Sequence, residues 1–183
     1  DVESFVDWLR GHNAARPRDE RTGFYGFDLY SLFTSIQRVL TYLAQTDPDA
    51  AKRARYRYSC FEHFGEDPQH YGYAASFDLS ARCEDEVIRQ LLEIRDLGTQ
   101  PADGEDDEED RCSAEQNARV VLNAEQYYRS MFRGQLSSWN LRDSHMADTV
   151  EALVHHLPRG DEDPKLVVWA HNTHVGDARS TDM

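Results

Sequence analysis

Lys165-Leu166-Val167-Val168-Trp169-Ala170 is followed directly by His171-Asn172-Thr173-His174-Val175-Gly176-Asp177. Five apolar residues in a row, with no alternation, are expected of a strand buried on both faces of a parallel sheet. A polar cluster at the carboxyl end of such a strand stands where open α/β folds place their ligands. Only one other stretch reads as a strand: Gly23-Phe24-Tyr25-Gly26-Phe27-Asp28, short, aromatic and edged by glycines.

The residues between these two stretches have helical spacing. Ser31 to Gln45 carries Leu32, Ile36, Val39, Leu40 and Leu43 on one face. Asp47-Pro48 is a helix start, an N-cap residue before a proline at the first helical position, for a helix running to about Phe61. Further helices are expected over about 68–77, over 83–97 with Val87, Leu91, Leu92 and Ile94 buried, from Ser113 to a stop at Gly134, and from Trp139 to Leu157 ahead of Pro158 and Gly160. Residues 1–14 form one more, with Phe5, Trp8 and Leu9 on one face. Two strands this far apart make no independent sheet. The fold expected is therefore α/β: a parallel-sheet core, two strands of it in this chain, with a large helical insertion over about 30–157. A mainly helical fold with a minimal ribbon is the alternative.

The chain has 183 residues, enough for one domain. Its mean hydropathy is −0.76. The run Asp103 to Asp110 accounts for half of the formal charge of −14 and reads, within about 98–112, as an exposed acidic loop. A pI near 4.9 argues against a nucleic-acid partner. No apolar run is long enough for a membrane span. Cys60, Cys83 and Cys112 are odd in number and widely spaced, so reduced thiols in a cytoplasmic protein are the expectation. Self-association into a homo-oligomer is compatible with this composition.

Three polar clusters could carry chemistry. His171 and His174, three residues apart beside Asn172, could supply a base, a donor to a carbonyl oxygen, or metal ligands; satisfying loop backbone is the alternative. Zinc would want a third protein ligand that the sequence does not offer. Arg142 and Asp143 fall in the first turn of the helix expected from Trp139. The dipole explains an aspartate there but not an arginine, whose charge needs an anion or carboxylate partner. Asp28 ends the first strand and would face the same edge of the sheet; serving as N-cap for the next helix is the alternative.

Tyr25-Gly-Phe-Asp28-Leu-Tyr-Ser-Leu32, Asn140-Leu-Arg142-Asp143-x-x-Met146-Ala147 and Trp169-Ala-His171-Asn172-x-His174-x-Gly176 resemble, in this order, three motifs of the erythromycin esterase family. Phe64-Gly-Glu-Asp-Pro-x-x-Tyr71 and Glu115-Gln-Asn-Ala118 with Tyr127-Tyr128 are similar to its helical middle. The resemblance covers nearly the whole chain. It implies a metal-independent hydrolase, without cofactor, that opens the lactone ester of a macrolide antibiotic with an activated water. It implies catalytic roles for Arg142, His171 and His174, with His171 favoured for substrate contact, and substrate-side roles for Tyr25, Asp28, Asp143 and Asn172. One departure matters. The family's Gly-Glu…His-Gly segment, which carries its water-activating histidine, has no counterpart: Gly65-Glu66 and Gly104-Glu105 lack the His-Gly partner. The expectation is an internal fragment or truncated homologue, a partial domain over 1–183, inactive by itself. A non-catalytic small-molecule-binding module is the alternative.

Overall fold

The computed structural model describes residues 1–17, 20–64, 67–77, 82–98, 105–132, 135–157 and 164–176. The expected stops at Gly134, Pro158 and Gly160, the pairs Gly65-Glu66 and Asp103-Gly104, and Asp177 lie outside the described residues. The architecture is helical: α1 (Val2–Ala14), α2 (Leu32–Thr46), α3 (Pro48–Tyr58), α4 (Pro68–Phe77), α5 (Glu84–Leu97), α6 (Glu105–Met131), α7 (Gln135–His156) and the single turn α8 (Asn172–Val175). A 3-10 segment, Ser59–Phe64, continues α3. None of the helices among the described residues is long and apolar enough to cross a membrane.

The axis of the molecule is α6, which packs against α2, α4, α5 and α7. Its buried positions include Ala114, Ala118, Val121 and Ala124, small side chains that let four helices approach one. At α4 the approach is close, since a Cβ on Gly72 would run into the Tyr128 carbonyl. The expected stripe of α2 is buried at Leu32, Ile36, Val39 and Leu43. The Asp47 carboxylate caps α3 by accepting from the Asp49 and Ala50 amides at 3.0 Å. In α5 the stripe is Val87, Leu91 and Ile94; Leu92 turns to solvent. Inside the bundle Glu125 is fully buried, accepting from the Tyr71 hydroxyl at 2.5 Å and from Arg129 Nε at 2.8 Å, while Arg129 also reaches Glu84 at 3.0 Å.

Four expectations need correction. Among the described residues there is no strand: 23–28 and 165–170 pair with no ladder, and a strand without a partner leaves its backbone groups to solvent. The apolar run is accordingly uncovered, with Val167 96% and Trp169 67% exposed. The two segments do meet one residue, for Phe5 of α1 packs its ring against both Phe24 (5.5 Å) and Trp169 (6.3 Å). Second, the part of the acidic run from Glu105 onward is the first turns of α6, not a loop. Carboxylates suit the positive end of a helix, and Glu109 accepts from His156 Nε2 at 2.8 Å at the far end of α7. Third, α7 begins at Gln135, four residues before the expected Trp139. Fourth, Cys60 and Cys83 are not reduced thiols but form a disulfide, Cα–Cα 5.9 Å, joining the 3-10 segment to the N-cap of α5. Cys112 is free, and burial together with Glu109 and Glu115 pushes its thiol up to about 11.

Candidate active site

Asp28 ends the segment that follows α1. It is held there because Leu29, the next residue, is fully buried, and the Leu29 amide donates to Asp28 Oδ1 at 2.8 Å. The N-cap of α2 is Ser31, so Asp28 is free of that role. Its carboxylate meets Arg142 edge on: Nε donates to Oδ1 at 2.9 Å and Nη2 to Oδ2 at 2.5 Å. Because α7 starts early, Arg142 and Asp143 lie about two turns inside it, beyond the reach of the helix N-terminus. The dipole argument that led the sequence reading to expect an anion or carboxylate beside Arg142 therefore does not apply, and its partner is Asp28. Burial would raise the Asp28 carboxyl, but the Arg142 hydrogen bonds and charge, the Leu29 amide and the charge of His174 hold it below its ordinary value.

Arg142 has a second neighbour. The ring of Tyr30 lies over the guanidinium, 4.5 Å from centroid to Cζ. The Tyr30 hydroxyl is 3.2 Å from that of Tyr127 on α6, with the two rings edge to face.

Beside Arg142, Asp143 has a different partner. Its Oδ1 is 2.8 Å from Nδ1 of His174, whose side chain is only 8% exposed. The imidazole also stacks on Trp139 at 5.4 Å. Trp139, Arg142 and Asp143 stand at i, i+3 and i+4 of α7, one helix face. Asp28, Arg142, Asp143 and His174 therefore form one cluster, with Tyr30 and Trp139 as its aromatic walls. His171 is placed differently. It is exposed and caps α8, its Nδ1 accepting from the Thr173 amide at 3.3 Å and lying 3.0 Å from the Thr173 hydroxyl. Asn172 is exposed on the same turn, and Tyr25 is half-buried with its ring folded back over Gly23.

Sequence reasoning passed over Tyr30, Trp139, Tyr127 and His145. Tyr30 sits inside the first quoted motif and Tyr127 in the stretch likened to the family's helical middle, which was the one available signal. His145 is one turn past Arg142 and only 1% exposed. Its Nδ1 lies 2.8 Å from Nδ2 of Asn123, and its buried Nε2 has no partner among the described residues. Burial lowers its pKa.

Two hollows among the described residues lie apart from this chemistry. Two clefts of about 280 Å³ lie along α2 and α3, lined by Gln37, Leu40 and Arg55 among others, and include none of these residues. Among the described residues no three His, Cys, Asp or Glu side chains are grouped to hold a metal ion.

The family model described as Erythromycin esterase matches residues 1–183, and the chain belongs to that family. No solved structure matches it.

Proposed function

We propose that this member of the erythromycin esterase family is a metal-independent hydrolase of a small-molecule ester or lactone, with water as the acyl acceptor. The observation that carries the reading is that neighbouring residues of α7 address two different partners, Arg142 facing Asp28 and Asp143 facing His174. Ester hydrolysis has two electrostatic needs, a donor where the carbonyl oxygen becomes an oxyanion and a base for the proton of the attacking water. Arg142 spends Nε and Nη2 on Asp28, which leaves Nη1 for a substrate oxygen. Asp143 holds a proton on Nδ1 of His174, so Nε2 carries the lone pair. The sequence offers no counterpart to the family's water-activating histidine and led to the expectation of an inactive chain. In this reading the His174 nitrogen takes that part instead, accepting the water proton and returning it to the departing alkoxide. We assign substrate contacts to Tyr25, Asn172 and the exposed His171.

The parallel-sheet core belongs to the same proposal, since Leu166 to Trp169 is an apolar surface of the kind a paired strand covers. The Cys60–Cys83 disulfide favours an oxidising compartment over the cytoplasm.

The test is turnover of 4-nitrophenyl butyrate and of a macrolide lactone by the chain and by its Arg142→Ala, His174→Ala and His171→Ala variants, with and without EDTA. Arg142→Ala and His174→Ala should each reduce turnover by about a hundredfold, and EDTA should change nothing. Turnover indifferent to both substitutions sinks the assignment, EDTA-sensitive turnover favours a metal site on the histidines, and binding without turnover favours a non-catalytic module.

A further inference from the structure

Tyr30 is a large aromatic residue left 51% exposed at the edge of the cluster, yet two of its features are tied down. One ring face covers the Arg142 guanidinium at 4.5 Å, and the hydroxyl is within 3.2 Å of Tyr127, itself nearly buried on the central helix α6. Asp28 grips the guanidinium in its own plane, through Nε and Nη2. A planar cation held along one edge can still rock about that edge. A ring over the cation limits that freedom, and the edge-to-face contact of the ring with Tyr127, which a phenylalanine would keep, ties it to a helix of the core. Nη1 takes no part in the hydrogen bonds to Asp28.

We propose that Tyr30 is a positioning and specificity-determining residue: it fixes the plane in which Arg142 presents Nη1 to a carbonyl or carboxylate oxygen, and its uncovered ring surface receives the apolar group attached to that carbon. The proposal rests on the reading of Arg142 as the oxygen-binding group. The ligand class follows from the geometry. An acyl or aryl carbonyl compound with a flat or bulky apolar group beside the C=O gains both contacts, whereas a short acyl compound such as acetate gains only the first.

Benzoate and acetate serve as probes, and the Arg142 Nε–H resonance of the full 183-residue chain, labelled with ¹⁵N, reports their binding. Benzoate should bind more tightly than acetate. Tyr30→Leu should weaken benzoate about tenfold, the scale of one cation–π and stacking contact, bring it to the level of acetate, and shift and broaden the Arg142 resonance. Tyr30→Phe and Tyr30→Trp keep a ring over the cation and should stay within about threefold of the unsubstituted chain, which separates the ring's role from a folding defect. Benzoate affinity and the Arg142 resonance both unchanged in Tyr30→Leu overturn the proposal, as does Tyr30→Phe being as damaging as Tyr30→Leu. Ester turnover is scored apart. Tyr30-dependent benzoate binding without turnover sinks the hydrolase reading and supports the assignment of Tyr30; turnover that ignores Tyr30 does the reverse.

Discussion

Asp28 and Arg142, 114 residues apart, meet through both carboxylate oxygens and two guanidinium nitrogens. A bidentate pair of this kind ties the segment after α1 to α7, and with it one wall of the cluster to the other. The Asp28 carboxyl is held below 3.8, so its contribution to stability is present above that value and is lost as pH falls through the lower folded one. Asp28→Asn should cost about 1–2 kcal/mol at pH 7, scaled down for a partly exposed pair. In urea unfolding the difference between the two proteins should shrink at the acid end. A difference that persists undiminished in acid would show that packing, not charge, accounts for it.

His174 takes its orientation from Asp143. Asp143→Asn leaves the shape but lets the amide donate to Nδ1, moving the imidazole proton to Nε2 and removing the lone pair assigned to the water. Turnover should fall by about a hundredfold or more with KM little changed. Long-range ¹H–¹⁵N correlation should show the proton on Nδ1 in the original and on Nε2 in the variant. The same tautomer in both would disconnect Asp143 from the chemistry.

Burial holds the His145 pKa below its ordinary value; Arg119 works in the same direction and Asp28 and Asp148 against it. Its folded pKa lies below 6.5, so the unfolded chain takes up the proton first. The stability tied to the neutral ring is complete above pH 6.5 and declines as pH falls from there through the folded value. His145→Gln should flatten that part of the stability curve. An NMR titration giving His145 an ordinary pKa would refute the argument.

The Cys60–Cys83 bond closes a loop of 23 residues in sequence separation. Reduction should cost about 3 kcal/mol through the entropy returned to the unfolded chain. Cys60→Ser should match the reduced protein in urea unfolding, and adding reductant to that variant should change nothing. The neighbourhood is sensitive, because the Cys83 amide donates to the Tyr71 hydroxyl at 3.0 Å, the same hydroxyl that satisfies Glu125.

Much of the helical body was readable from residue spacing. The stripe of α2 and the cap at Asp47 depend on interactions within a few residues, and local chemistry suffices for them. The acidic run misled because like charges were weighed against each other and not against the start of a helix. That same error placed the beginning of α6 too late at Ser113. Asp28 was expected at the same edge as the histidine cluster and Arg142 beside an anion or carboxylate, but from a first-turn position that Arg142 does not hold. The disulfide and the Tyr30–Tyr127 contact join residues that only tertiary packing brings together, and no spacing announces them. The strands are not shown for a related reason: Leu166 to Trp169 has the composition of a buried strand, but among the described residues no strand lies against it.

The contact of Phe5 with Trp169 has a kinetic consequence. It joins residues near the two ends of the chain, whereas α3 follows α2 with one residue between, and α4, α5, α6 and α7 succeed one another around a shared axis. Contacts that close the longest loops form against the greatest entropy and come late. The bundle should therefore assemble first and the ends dock last, bringing His174, five residues beyond Trp169, onto Asp143 in the final step. In a refolding experiment the far-ultraviolet helical signal should recover ahead of the fluorescence of Trp169, and any catalytic function should return with the second phase.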